Sequence, residues 1–142
     1  MESIEKWLKD HQEKWACDFL GIAMDAAPEN APKEIRWLHV VGNQSEAYKN
    51  IRLQVGRGIA GMVWKTARKQ LDERIFDQPD KLIEYPIARL EKLHTALAVP
   101  VMSQQVVFAV LMSGYRDDHP FTSEEQAEVE SAAVELNQLL EE

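Results

Sequence analysis

The chain has 142 residues, of which 45% are hydrophobic and 28% charged; that size suits one domain burying roughly two-thirds of its unfolded surface, and the balance excludes disordered and fibrous classes. A net charge of −8 disfavours a nucleic-acid surface, which relies on clustered Lys and Arg, and no apolar run approaches the roughly 20 residues of a membrane span. The single cysteine, Cys17, excludes an internal disulfide and builds no zinc site by itself.

In chain order, Ile4, Trp7, Leu8, His11 and Trp15 recur at helical spacing and predict an amphipathic helix over 2–17, with Cys17 as a buried helix residue. The acidic, Trp-containing start does not read as a signal peptide, so a cytoplasmic location is expected. Residues 18–25 (DFLGIAMD) read as a strand, 26–32 as a turn with two prolines, and 33–42 as the hairpin partner. Alternation along that partner puts Ile35, Trp37, His39 and Val41 on one face, and Arg36, Leu38 and Val40 on the other.

Residues 43–93 are irregular, with short helical pieces, a strand at Gln70–Asp72 and the loop Asp77-Gln78-Pro79-Asp80. About fifty residues without long elements fit a binding lid. Thr95–Met102 and Val106–Tyr115 follow as strands joined across Ser103-Gln104-Gln105. Their near-continuous hydrophobicity implies a central position covered on both faces. The last helix, to about Leu140, opens with a capping box of Thr122 and Glu125 and carries the stripe Ala132, Ala133, Leu136, Leu139, Leu140. Both terminal helices present an apolar face, and what the sheet leaves uncovered could pair a second copy into a homodimer. The expected class is α+β: an antiparallel sheet with terminal helices on one face and a pocket lid of short helices on the other.

Two short runs carry candidate chemistry. In Gly56-Arg57-Gly58-Ile59-Ala60-Gly61 the glycines permit a tight turn, and a helix follows whose buried side is Ile59, Met62, Val63 and Ala67. In Glu84-Tyr85-Pro86-Ile87-Ala88, Pro86 suits the first position of another helix. Neither start has a preferred capping side chain, which leaves the N–H groups of Ile59, Ala60 and Ile87 for another acceptor. A helix N-terminus also carries fractional positive charge, so two converging starts would hold a small anion. Trp37 and Tyr85 could add an indole N–H and a phenol O–H.

A glycine-rich corner or a proline-initiated turn needs no ligand, and the first run lacks the Lys-Ser/Thr of a P-loop. Because the chain is acidic, any anion site here must work through short-range hydrogen bonds in shelter, with Arg52 and Arg57 at the surface. His11, His39, His94 and His119 fall on separate elements without metal-ligand spacing and read as packing or surface residues. The acid pairs Asp117-Asp118, Glu124-Glu125 and Glu141-Glu142 read as solvated charge, since catalytic pairs need two environments in one cleft. No catalytic or metal-ligating set emerges.

The run VGRGIAGMVWKT after the second strand, the strand ALAVPV and the helix start HPFTSEE resemble GAF domains over almost the whole chain. Within them the chain is similar to the bacterial nitrate receptors that work with a sensor histidine kinase and its response regulator. The resemblance implies one GAF domain over 1–142, with the terminal helices at 2–17 and 122–140 flanking a sheet and pocket segment at 18–115. It further implies nitrate as the ligand, with no cofactor, and Trp37, Ile59, Ala60, Tyr85 and Ile87 around it, mainly through main-chain N–H groups. In that family the free receptor restrains the kinase and nitrate relieves the restraint. The alternative is a small GAF-type enzyme acting on a free metabolite such as methionine sulfoxide. Reductases of that kind need a resolving cysteine, bilin carriers need a pocket cysteine, and cyclic-nucleotide GAF domains carry an Asn-Lys-Phe-Asp-Glu signature that Lys65-Thr66 through Asp72-Glu73 does not match.

Overall fold

The computed structural model describes residues 3–141. Glu2, where the expected first helix begins, lies outside them. Helix α1 (Ile4–Trp15) is capped by Ser3, whose Oγ accepts the Lys6 N–H at 3.1 Å, and it stops where Ala16 turns left-handed. Cys17 is therefore not a helix residue: it sits past the end of α1, buried against the sheet. Strands β1 (Phe19–Asp25) and β2 (Ile35–Val41) form the first hairpin.

After a 3-10 turn at Ala47–Asn50 come α2 (Gly58–Thr66), β3 (Gln70–Asp72), α3 (Pro79–Glu84) and α4 (Pro86–Glu91). Strands β4 (Thr95–Ser103) and β5 (Val106–Tyr115) pair tightly across Gln104 and Gln105, both left-handed as a two-residue hairpin turn requires. Helix α5 (Ser123–Glu141) closes the chain.

One antiparallel sheet runs in the order β2-β1-β5-β4-β3, so β5 is its centre, as its hydrophobicity demands. Side chains alternate across the sheet and feed two cores. Trp7, Leu8, Leu20, Ile22, Leu97, Leu111 and Leu136 pack α1 and α5 on one face. Phe19, Ile35, Trp37, Ile59, Val63, Ile87 and Met112 pack the 43–93 segment on the other.

The strict alternation expected along β2 fails at Leu38. Ile22 pairs with His39 and Ala23 with Trp37, so Leu38 faces no partner and bulges. Ile35 and Trp37 keep to the core of α2 and α4, but Val41 joins the opposite core, and Val40 packs on the Trp37 side. The bulge thus lets one strand serve both layers. Ala67, expected on the buried side of α2, is instead its exposed left-handed C-cap.

The capping box of α5 forms as expected. The Thr122 N–H donates to Glu125 Oε1 at 2.9 Å, and the Glu125 N–H donates to Thr122 Oγ1 at 3.1 Å. Glu125 is not merely solvated charge, because its other oxygen lies 2.7 Å from His119 Nε2. Partial burial pushes its carboxyl pKa up, but the Thr122 N–H and His119 outweigh that and hold it below the ordinary value. Thr122→Ala is expected to cost about 1 kcal/mol in urea denaturation at neutral pH. The carboxylate of Glu125 stabilises the fold fully above its unfolded-state pKa and loses that effect as pH falls through the lower folded value. The stability gap between wild type and Glu125→Gln should therefore close on acidification.

Candidate anion site

The loop that precedes α2 is tied to β2. Ile35 and Leu53 exchange backbone hydrogen bonds, Ile35 N–H to Leu53 O at 2.8 Å and Leu53 N–H to Ile35 O at 2.9 Å. From there the chain must reverse into the helix within a few residues. The Arg57 N–H closes a turn on Gln54 O at 3.0 Å, and the Gly56 N–H reaches the Gly61 carbonyl at 2.8 Å. Gly56 and Gly58 are left-handed, and a Cβ at Gly61 would lie 2.5 Å from Gln54 O. Each glycine of the run therefore has a steric reason.

Helix α2 starts with no side-chain cap. A first-turn N–H has no acceptor inside its own helix, and those of Ile59 and Ala60 donate to no side chain or preceding carbonyl among the described residues. Both residues are buried. Helix α4 repeats the arrangement. Tyr85 is its N-cap without a side-chain bond, and Pro86 stands at N1. Tyr85 O accepts the N–H groups of Ala88 at 3.1 Å and Arg89 at 3.2 Å, which leaves the Ile87 N–H unclaimed among the described residues.

All five candidate residues, Trp37, Ile59, Ala60, Tyr85 and Ile87, fall in the same buried cluster, with Phe19, Tyr48 and Leu53 around them. Trp37 is 2% exposed, set edge-on to Phe19, and its Nε1–H is buried with no hydrogen-bond partner. Tyr85 differs. Burial and, after it, the neighbouring Asp72 carboxylate push its phenol pKa well up, so it stays protonated. Its ring is buried, 4% exposed, in the same layer. Arg52 and Arg57 are exposed, as expected.

Polar ties that local pattern does not announce hold the two short helices beside this cluster. Fully buried Asp72 pairs with Lys81 of α3 and accepts from Gln70 Nε2 at 3.0 Å. Fully buried Glu91, at the end of α4, pairs with Arg116 at 2.7 Å. Each pair joins residues that only the fold brings together, so neither had a spacing to reveal it.

The other chemistry-bearing groups lie elsewhere. His11 stacks on Trp7, His94 on Phe76 and His119 on Tyr115, and no group of metal-ligating side chains assembles among the described residues. Cys17 belongs to the opposite core, and burial raises its thiol pKa to about 11. A cavity of about 200 Å³ lies in that helix layer too, lined by Lys14, Trp15, Ser113, Tyr115 and Phe121 among others, and none of the five candidate residues borders it. No helix among the described residues is long and apolar enough to cross a membrane.

A GAF domain family model matches residues 15–141. Two structures of NreA from Staphylococcus aureus, mutated in its nitrate binding site, superpose on the chain. One is 32% identical with a TM-score of 0.77, covering 84% of this chain and 87% of the other. The second is 29% identical with a TM-score of 0.80, covering 89% and 96%. A type II free methionine-R-sulfoxide reductase from Thermoplasma acidophilum shares the fold at 15% identity, with a TM-score of 0.77 over 97% of this chain and 89% of that one. No curated protein matches by sequence.

Gly61→Ala tests the steric account of the first helix start. The added Cβ collides with backbone, which has little room to give, so a loss of about 1–3 kcal/mol is expected in thermal denaturation. An unchanged melting temperature would contradict it.

Proposed function

The chain belongs to the GAF domain family, and we propose that it is a nitrate-binding sensor that modulates a sensor histidine kinase of a two-component system. One observation carries the reading: the indole N–H of Trp37 is buried without a partner in the cluster that holds the unclaimed N–H groups of Ile59, Ala60 and Ile87. Four donors and no countercharge suit a small monoanion. A dianion such as sulfate would call for Arg or Lys within the layer.

The magnitudes agree with a sensor. Hydrogen bonds to a charged acceptor are each worth about 1.5–3 kcal/mol, so three or four of them give a gross gain on the order of 5–12 kcal/mol. Desolvation of the anion and at least ~4 kcal/mol of lost freedom oppose this, leaving roughly micromolar to millimolar affinity. Nitrate would tie the start of α2 to the Tyr85-Pro86-Ile87 turn and order the 43–93 segment as a lid. It shifts the kinase only by its different affinity for the two lid states. In this reading the protein works in the cytoplasm, regulates the use of nitrate, and pairs through its terminal helices.

The enzymatic alternative is disfavoured by Cys17. Its thiol is protonated at neutral pH, and it lies across the sheet from the candidate cluster, so it neither attacks nor resolves a sulfur intermediate there.

Isothermal titration against nitrate, nitrite, sulfate and methionine sulfoxide separates the two readings. Nitrate is expected to give a saturable isotherm and methionine sulfoxide none; no nitrate heat at millimolar concentration would overturn the sensor reading. Ala60→Pro removes one donor from the first turn of α2, where the lost N–H has no acceptor within the helix, and Trp37→Phe removes the indole donor. Each should weaken nitrate binding about tenfold or more.

A further inference from the structure

The Ile87 N–H sits in a helix of only six residues, too short to hold its own geometry. Something else must fix its direction. Its C-terminal end is Glu91, fully buried and one helical turn beyond Ile87. The Glu91 carboxylate accepts the Gln44 N–H at 2.8 Å and Arg116 Nη2 at 2.7 Å, and the Glu91 carbonyl accepts Arg116 Nε at 2.8 Å. One guanidinium thus holds both the backbone and the side chain of the last residue of α4.

The same guanidinium reaches the neighbouring strand ends. Its Nη2 donates to Gly42 O at 2.9 Å, past the end of β2, and its Nη1 to Asp18 O at 3.4 Å, before β1. The backbone N–H of Arg116 donates to Asp18 Oδ2 at 2.7 Å, and Gln12 of α1 donates to Asp18 O at 3.2 Å. Gly42 is left-handed, and a Cβ there would lie 2.0 Å from Asp18 O, so its glycine is what admits this junction.

We propose that Arg116 is the positioning residue of the anion site: by clasping Glu91 to Gly42 and Asp18 it aims the Ile87 N–H, and it couples occupancy of the site to the α1–β1 junction on the other face of the sheet. The proposal deepens the nitrate reading and rests on it for the identity of the anion. Planar geometry is essential to the role, because only a fork of donors spans three carbonyls and a carboxylate. A lysine supplies the charge but not the span. The coupling runs both ways, so what tightens the clasp tightens the anion, and the reverse.

Removing Arg116 alone would leave the Glu91 charge buried and uncompensated, which can unfold the protein. The test therefore uses Arg116→Lys and the doubly apolar variant Glu91→Leu with Arg116→Met, since an apolar substitute for a buried pair commonly preserves the fold. Amide hydrogen exchange on the ligand-free proteins is the first readout. The amides of residues 87–91 should exchange about tenfold faster or more in both variants, while those of residues 63–66 in α2 keep their rates. Nitrate titration is the second, with affinity falling about tenfold in Arg116→Lys and further in the double variant.

Unchanged exchange over 87–91, or nitrate affinity within about twofold of wild type in the folded double variant, would overturn the proposal. If wild type itself binds no nitrate, the nitrate reading fails by that result, and the exchange comparison, made without ligand, still decides for or against the clasp.

Discussion

A donor buried without an acceptor costs about 1–3 kcal/mol, and the core between the sheet and the 43–93 segment gathers several. Trp37 Nε1–H has no partner, and the first-turn N–H groups of Ile59, Ala60 and Ile87 donate to none among the described residues. A stable protein rarely keeps such groups together without a use for them. Around them stand Phe19, Leu53, Val63 and Met112, which offer no competing acceptor. In the proposed site, charge selectivity would come from partial charges fixed in the backbone rather than from a charged side chain.

The rest of the fold keeps those donors in place. Central β5, covered on both faces, separates the helix layer from the site layer. The bulge at Leu38 lets β2 give Trp37 to one layer and Val41 to the other. Short helices α3 and α4 then depend on buried charge pairs: Asp72 with Lys81 near Tyr85, and Glu91 with Arg116 at the far end. Such pairs contribute little net stability, yet breaking one by removing a single partner is costly. They specify position.

Much of this was legible in the sequence wherever cause and effect are close in the chain. The Gly56–Gly61 corner, Pro86 at a helix start, the Thr122–Glu125 box and the two apolar core strands are local statements of backbone geometry or periodicity, and the structure has each of them. Alternation along β2 failed because a bulge is set by the pairing with β1, which periodicity within one strand does not encode. Cys17 left the helix because Ala16 took a left-handed cap that an alanine does not advertise. Of the site, the donor-bearing helix starts were legible. The Arg116 clasp, the buried Asp72–Lys81 pair and the Ile35–Leu53 bridge were not, since each joins segments whose meeting only the tertiary fold decides.

In the proposed site, unpaired donors from Trp37, Ile59, Ala60 and Ile87 meet one anion. Nitrate titration of the ¹⁵N-labelled protein followed by NMR tests it most directly, because all four donors report through their own N–H resonances. The Trp37 indole signal and the three amides should move together and saturate with one affinity. The indole of Trp7, already donated to Glu135 at 2.8 Å in the opposite layer, should stay where it is. Saturable nitrate binding that leaves the Trp37 indole and those amides unmoved would mean that these donors do not hold the anion.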